Sequence, residues 1–168
     1  MTELLVAKKQ AESRRYSFSV EPLIAIKDEA RDLLDMHWRE LATNRHLAKL
    51  DPIWGDYFRM ENANQLELYV ARGYQGEMVG YAAFFVRPHI HYQKFIVAFN
   101  DVVFIHPDWR RGAFGFAFLR YCESMLHARG DVHKIAWHLK TTHDWGRILA
   151  RMGYAPEEVL HTKLLGIK

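Results

Sequence analysis

The sequence predicts one α+β domain, built on a mixed, mostly antiparallel sheet of six or seven strands with helices on both faces. Two observations lead to this prediction. The 168 residues suit a single core, and the sequence has no repeat, low-complexity tract or Pro/Gly/Ser linker that would mark a second domain. Short apolar runs of strand length are interspersed with stretches whose apolar residues recur at helical spacing.

The first half of the chain contains segments with strand and helix patterns in turn. A strand is predicted at residues 16–25, a helix at 28–43 and an irregular connection at 44–64. Two antiparallel strands are predicted at 66–72 and 78–87. The irregular connection has room for a short helix. Turn-forming residues at 73–77 join the last two strands as a hairpin, and Pro88 is expected to end the second.

The second half continues with a strand that is apolar on both faces and therefore central to the sheet. This strand is predicted at residues 94–105, and a turn at 108–112 leads to a helix at 113–129. A strand at 132–139, a helix at 144–152 and one or two closing strands at 154–168 follow. Gly130 and Gly153 follow the two helices at positions where glycine commonly ends a helix.

Composition and charge exclude several classes of protein. Hydrophobic residues make up 49% and charged residues 26%, which excludes a disordered chain. The apolar runs are too short to cross a bilayer and residues 1–10 lack the features of a secretory signal, so we expect a cytoplasmic protein without a membrane partner. The single Cys122 suits that compartment. A net charge of +3 is weak for a protein that binds nucleic acid, so we do not expect that partner.

The segment 102–119 is the most informative part of the sequence. A central strand passes through a basic turn into a helix, so unpartnered N–H groups converge at the positive end of the helix dipole, where phosphate binds readily. Small residues would let a diphosphate approach and arginines would add charge: Gly112, Ala113, Gly115, Arg110 and Arg111. An ordinary strand-to-helix turn contains glycines as well, and spacing alone leaves both interpretations open.

Two motifs in this order resemble the GNAT N-acetyltransferase superfamily. The segment R-R-G-A-F-G, from Arg110 to Gly115, resembles motif A, Q/R-x-x-G-x-G/A, with Ala113 where glycine is usual. The segment D-W-G-R-I-L-A-R-M-G-Y, residues 144–154, is similar to motif B. The resemblance covers residues 66–168, and other short combinations, such as H-x-H-Y in the loop after Pro88, are similar to uncharacterised phage-encoded members.

The resemblance implies a GNAT fold and transfer of an acetyl group from acetyl-CoA to a primary amine, by direct attack in a ternary complex without a metal. In such proteins the central strand separates from the next parallel strand, and pantetheine lies in the gap. The diphosphate meets the start of the following helix. The implied cofactor-binding residues are Val103, Phe104, Ile105, Arg110, Arg111, Gly112, Ala113, Phe114, Gly115 and Phe116.

The residues that would move protons are less clear. Many members of the family use a tyrosine as general acid at the position of Leu149. Asp101 lies two and four residues before Val103 and Ile105, so we expect its side chain on the same face of the strand, toward the cofactor gap. Asp101 is therefore a catalytic candidate, although a structural carboxylate explains it equally well. His138 follows the next strand and is a candidate proton relay, with a plain surface histidine as the alternative.

A second group of histidines lies in the loop P-H-I-H-Y. His89 and His91 resemble half of a metal site, but no cysteine or carboxylate cluster accompanies them, so no metal is predicted. His91 and Tyr92 are candidate acceptor contacts, and His91 is also a catalytic candidate through a network with Asp101.

Several functional alternatives stay open. Leu149 and Ala113 also fit a non-catalytic CoA-binding or protein-interaction module with a degenerate site. Nucleic-acid binding rests only on mild basicity. The loops at residues 44–64 and 88–94 carry no readable pattern, so the amine acceptor, whether small molecule or protein, is not defined. The oligomeric state, a homodimer included, is not defined either.

Overall fold

The computed structural model describes residues 16–165, which fall into two compact units. The first unit ends at His138 and the second begins at Leu139. The expectation about residues 1–10 and the last three residues of the predicted closing strands lie outside the described residues. Within residues 16–165, no helix has the length and apolar character needed to cross a membrane.

The first unit contains the sheet and most of the helices. Its strands β1 to β5 are Ser17–Val20, Leu66–Arg72, Met78–His89, Tyr92–Ile105 and Lys134–Ala136. Its helices α1 to α4 are Leu23–Ile26, Arg31–Leu41, Trp54–Asn62 and Phe114–Ala128, and a 3-10 helix spans Pro107–Trp109. In the second unit, helix α5 spans Gly146–Arg151.

The strands form one open mixed sheet in the order of the sequence. Strands β1 to β4 are antiparallel neighbours, and β5 pairs with β4 in parallel. The predicted mixed, mostly antiparallel character is therefore confirmed. The described residues contain five strands rather than six or seven. The closing strands are missing from residues 154–165, where the apolar side chains of Val159 and Leu160 are 81% and 88% exposed and have no core to join.

Several predicted strand ends differ from the structure, and the strand predicted at residues 132–139 is reduced to Lys134–Ala136. The first strand stops at Val20, and α1 begins directly after Pro22, which is extended with ψ of 146°. Pro88 does not end β3, which continues to His89. Strand β2 pairs with β3 only as far as Phe85, so the missing N–H of Pro88 removes no hydrogen bond on that side.

The two faces of the sheet have separate cores. Helix α4 covers one face, where Phe114, Phe118 and Leu126 pack with buried side chains of β2, β3 and β4. Helices α1, α2 and α3 cover the other face. A residue of β4 therefore lies on either the α4 face or the α2/α3 face, and this distinction decides what its side chain can reach.

We predict that Phe118→Ala lowers the free energy of unfolding by about 3–5 kcal/mol, because it leaves a cavity in the core between α4 and the sheet. The Phe118 side chain is fully buried and contacts the ring of Phe18 at 5.2 Å. Urea denaturation measures the change. Phe116 lies in the same helix and is 40% exposed, so Phe116→Ala is the matched control and should cost under about 1 kcal/mol. Equal losses in the two variants would contradict the packing described here.

Candidate functional site

The turn between β4 and α4 ends in an uncapped helix start. Gly112 has φ of +67°, a left-handed conformation that favours glycine, and a Cβ atom there would meet no protein atom within 4 Å. The first helical hydrogen bond runs from the Ala117 N–H to the Ala113 carbonyl at 2.8 Å, and no side chain caps the helix. The N–H groups of Phe114, Gly115 and Phe116 therefore precede the helical ladder at the positive end of the dipole.

The two arginines of the turn have different surroundings. The Arg110 guanidinium forms a bidentate ion pair with Glu40 on α2 at 2.6 and 2.8 Å, and its Nε donates to the Ile105 carbonyl at 2.8 Å. Glu40 therefore already compensates the charge of Arg110, and the expected role of Arg110 toward a diphosphate stays a prediction. Arg111 is exposed, and the described residues place no ion-pair partner beside it.

Strands β4 and β5 pair over only three residues and then part. The parallel register runs from Val97 opposite Lys134 to Phe99 opposite Ala136. In the described part of the chain, no strand pairs with β4 on this side beyond Phe99, although β4 continues to Ile105. The last third of β4 thus has no strand partner on this edge, where the Ile105 carbonyl accepts a hydrogen bond from Arg110 Nε.

The Asn100 side chain bridges the strands at the point where they part. Its Nδ2 donates to the His138 carbonyl at 3.3 Å, and its Oδ1 accepts from the His138 N–H at 2.5 Å. Asn100 is 5% exposed and is a buried polar residue in an apolar sheet. Asn100 follows Phe99, the last residue of β4 that pairs with β5. Its side-chain amide, rather than its main chain, holds the backbone of His138 beside β4.

A bulge in β4 corrects the expected orientation of Asp101. Ala83 pairs with Val102 while Phe84 pairs with Asn100, so Asp101 has no partner in β3 and the alternation of side chains shifts after it. Val103 and Ile105 pack on the α4 face. Asp101 instead lies on the α2/α3 face, where its Oδ2 accepts a hydrogen bond from the Tyr57 hydroxyl of α3 at 2.5 Å.

One partly buried phenol binds the exposed Asp101 carboxylate, and a second, buried phenol lies on the same face of the sheet. Burial raises the pKa of Tyr57 well above its ordinary value, and the hydrogen bond to Asp101 raises it further. Burial likewise raises the pKa of Tyr81, with smaller contributions from Tyr57 and Asp101. The Tyr81 hydroxyl is 2.5 Å from Nδ1 of His37, whose ring stacks on Phe104 at 4.8 Å. Both phenols therefore stay protonated, and Tyr57 serves as a donor to Asp101.

The three catalytic candidates of the sequence do not meet at one place. His138 is exposed, and its ring packs against Phe99, two residues from Asp101, at 5.6 Å. His91 lies at the tip of the β3–β4 hairpin, where its N–H donates to Nδ1 of His89. Nine residues of strand separate Tyr92 from Asp101, about 30 Å of extended chain. The structure therefore brings His138 near Asp101 and does not bring His91 there.

The second unit contains the segment that resembles motif B. Leu149 lies in α5, its carbonyl accepts from the Tyr154 N–H at 3.1 Å, and Gly153 has φ of +91°. Leucine has no proton to transfer, so this helix supplies no general acid at that position.

Comparison with protein families identifies the family to which this fold belongs. The acetyltransferase (GNAT) family model matches residues 30–154, well over half of the chain. The chain belongs to the GNAT family. No curated protein matches the sequence significantly. GNAT proteins use acetyl-CoA as cosubstrate, which agrees with the open strand edge and the uncapped helix start.

Solved GNAT structures share this fold at low identity. Ribosomal-protein-alanine N-acetyltransferase from Brucella melitensis biovar Abortus 2308 has a TM-score of 0.69 and 18% identity, covering 91% of this chain and 99% of that chain. An aminoglycoside acetyltransferase from an uncultured soil metagenomic sample has a TM-score of 0.67 and 13% identity, covering 90% and 97%. Glucosamine-6-phosphate N-acetyltransferase from Arabidopsis thaliana has a TM-score of 0.66 and 9% identity, covering 90% and 99%. These neighbours act on different acceptors and show the fold alone.

Sequence reasoning missed three residues of this GNAT site: Tyr57, Asn100 and Glu40. Tyr57 and Glu40 act through partners that are 44 and 70 residues away in sequence, which no local pattern reveals. Asn100 carried a usable signal, because an amide in the middle of a central apolar strand requires a hydrogen-bonding partner.

We predict that Asn100→Leu frees the main chain of His138 and lowers the free energy of unfolding by about 1–3 kcal/mol, because a buried bridge of two hydrogen bonds is lost. Amide hydrogen exchange at His138 should become faster, while exchange in the centre of β3 should follow only the change in global stability. Asn62→Leu, at the exposed end of α3, is the control and should leave both quantities unchanged. Unaltered protection of the His138 amide in Asn100→Leu would contradict the bridge.

Proposed function

We propose that this protein is an N-acetyltransferase that moves the acetyl group of acetyl-CoA to a primary amine by direct attack in a ternary complex. One observation carries the proposal: β4 parts from β5 after Phe99, and its open edge leads directly into the uncapped start of α4. An extended amide-containing arm can pair with a strand edge, and a diphosphate can bind at a helix start. Acetyl-CoA contains both groups.

The cofactor would bind along β4 and the turn that follows. The pantetheine arm takes the main-chain edge along Val103, Phe104 and Ile105, where no described strand pairs and where the Ile105 carbonyl accepts from Arg110 Nε. The diphosphate takes the amides from Gly112 to Phe116, and the exposed Arg111 supplies charge. Arg110 contributes differently from Arg111: with Glu40 compensating its charge, it shapes the turn by binding the Ile105 carbonyl.

Asp101 is the proposed base. Its Oδ2 is held by Tyr57, and Oδ1 is available to accept a proton from the ammonium form of the acceptor. The neutral amine attacks the thioester carbonyl, the C–N bond forms, and collapse of the tetrahedral intermediate breaks the C–S bond. The nitrogen loses its second proton to solvent, directly or through His138. The CoA thiolate takes one proton from solvent, and Asp101 returns its proton to solvent. The products are an amide, CoA and one released proton.

The absence of a tyrosine at Leu149 does not prevent this reaction. A CoA thiolate is a tolerable leaving group, because thiol pKa values near 8.5 lie far below those of alkoxides. The same leucine is the observation that favours a second candidate function, a CoA-binding module without catalysis. The two functions share the cofactor site and differ only in whether an amine releases CoA.

We predict that acetyl-CoA binding produces heat in titration calorimetry and that Arg111→Ala weakens it about tenfold, because one charge-assisted contact to the diphosphate is lost. Arg31→Ala is the matched control, since Arg31 is also exposed and pairs only with the exposed Asp28. It should leave the affinity unchanged. Two results together would exclude both the acetyltransferase and the CoA-binding module. Folded wild-type protein would give no heat with acetyl-CoA, and Gly115→Trp would leave the titration unchanged.

We predict that Asp101→Asn lowers kcat/KM for the amine by about 10²–10⁴-fold at saturating acetyl-CoA, because the base is removed. The affinity for acetyl-CoA should stay unchanged, and Tyr57→Phe should have a smaller effect because the carboxylate is retained. CoA release followed with a thiol reagent measures the rate. Asp56→Asn, which removes an exposed carboxylate paired with Arg59 on the same helix as Tyr57, should retain wild-type rates. Equal activity of Asp101→Asn and wild type would refute the assignment of Asp101.

A further inference from the structure

Helix α2 contacts the end of β4 and the turn after it through two side chains one helical turn apart. The His37 ring stacks on the Phe104 ring, with centroids 4.8 Å apart and an angle of 10° between the planes. Glu40 lies three residues further along the helix and forms the bidentate ion pair with Arg110 at 2.6 and 2.8 Å. Residues three apart lie on the same face of a helix, so one face of α2 makes both contacts.

Arg110 extends this contact to the main chain of β4. Its Nε donates to the Ile105 carbonyl at 2.8 Å, and its guanidinium carbon lies 5.0 Å from the centroid of the Phe104 ring. Phe104 is buried in the same core cluster as Leu33 of α2. The guanidinium therefore has three fixed neighbours: the Glu40 carboxylate, the Ile105 carbonyl and the Phe104 ring. Because the guanidinium is planar and binds the carboxylate through two nitrogens, these neighbours define its orientation.

The orientation of this guanidinium affects the turn before α4. Arg110 comes directly before Arg111 and Gly112, and the uncapped amides of α4 follow. The hydrogen bond from Arg110 to a carbonyl five residues earlier closes the segment between them into a loop and restricts its main chain. Backbone order that exists before a ligand arrives does not have to be created on binding, so it strengthens the binding of an anion at those amides.

We propose that Glu40 is a positioning residue for acetyl-CoA: its carboxylate holds the Arg110 guanidinium on the Ile105 carbonyl and thereby fixes the turn whose amides take the diphosphate. The inference rests on the proposed function and adds a residue to it. An explanation by charge alone makes the opposite prediction. A carboxylate near the turn repels the diphosphate and neutralises Arg110, so its removal would tighten the binding of acetyl-CoA. Positioning predicts that its removal weakens that binding.

The test measures the binding of acetyl-CoA to Glu40→Gln by titration calorimetry. Glutamine has nearly the same size as glutamate but no charge with which to hold the guanidinium. The dissociation constant should rise about tenfold. Asp35→Asn is the matched control, because it removes the same charge from the same helix, where Asp35 pairs with Arg39 at 2.9 Å. This control should change the affinity less than about twofold. Unchanged or tighter binding by Glu40→Gln overturns the positioning role.

A double-mutant cycle tests whether Glu40 acts through Arg110. Arg110→Ala should weaken the binding of acetyl-CoA, because the turn is no longer held to the Ile105 carbonyl. In the Arg110→Ala background, Glu40→Gln should have no further effect on the dissociation constant, since the guanidinium that it would release is already absent. Losses of affinity that multiply in the double variant overturn the proposed route.

Steady-state rates provide a readout that a loss of stability does not produce. Glu40→Gln should raise the KM for acetyl-CoA about tenfold and change kcat less than about threefold, because Asp101 and its hydrogen bond from Tyr57 are unaltered. A fall in kcat with an unchanged KM overturns positioning. If wild-type protein and Glu40→Gln bind acetyl-CoA equally well, only this inference fails. If folded wild-type protein does not bind acetyl-CoA, the proposed function fails together with the inference.

Discussion

The two hydrogen bonds between the Asn100 side chain and the His138 main chain are the interaction on which the site depends. They hold β4 and β5 together one residue beyond the last paired positions, so the strands separate at a defined place rather than fraying gradually. The next residue, Asp101, forms the bulge. One short stretch of β4 therefore contains both the end of its pairing with β5 and a carboxylate on the α2/α3 face of the sheet. In the proposed function, the cofactor edge and the base would belong to adjacent positions of this strand.

The ion pair between Arg110 and Glu40 connects the turn after β4 to helix α2. Glu40 lies near the end of α2, and Arg110 lies in the turn that precedes α4. The same guanidinium binds the Ile105 carbonyl and lies 5.0 Å from the Phe104 ring. Any displacement of α2 would thus disturb the turn between β4 and α4. The guanidinium of Arg110 therefore links α2, the end of β4 and this turn.

Local patterns predicted those parts of the fold that local physics determines. Strand β2 begins and ends where its apolar run does, and α4 lies within one residue of its predicted limits because Gly112 and Gly130, both with positive φ, bound it. The bulge at Asp101 was not predictable, because strict alternation was the only rule available and the pairing with β3 breaks it. The contact of Asp101 with Tyr57 depends on how α3 packs over the sheet. This packing was not predictable, because residues 44–64 have no readable periodicity. Strand β5 is shorter than its apolar pattern predicts, because its pairing with β4 decides where it ends.

The positions of these side chains decide which groups of the candidate site can give or take a proton. Tyr57 and Tyr81 have raised pKa values because they are buried, and each already has a hydrogen-bonding partner, Asp101 and His37 respectively. Neither phenol is suited to lose a proton near neutrality, and Leu149 has none to give. The groups of the proposed mechanism that exchange protons with solvent are therefore the exposed Asp101 and His138, which lie near each other around Phe99. In the proposed mechanism, such a site would remove protons from the acceptor and rely on the low basicity of the CoA thiolate for departure, so its catalytic contribution would be concentrated on the amine rather than on the leaving group.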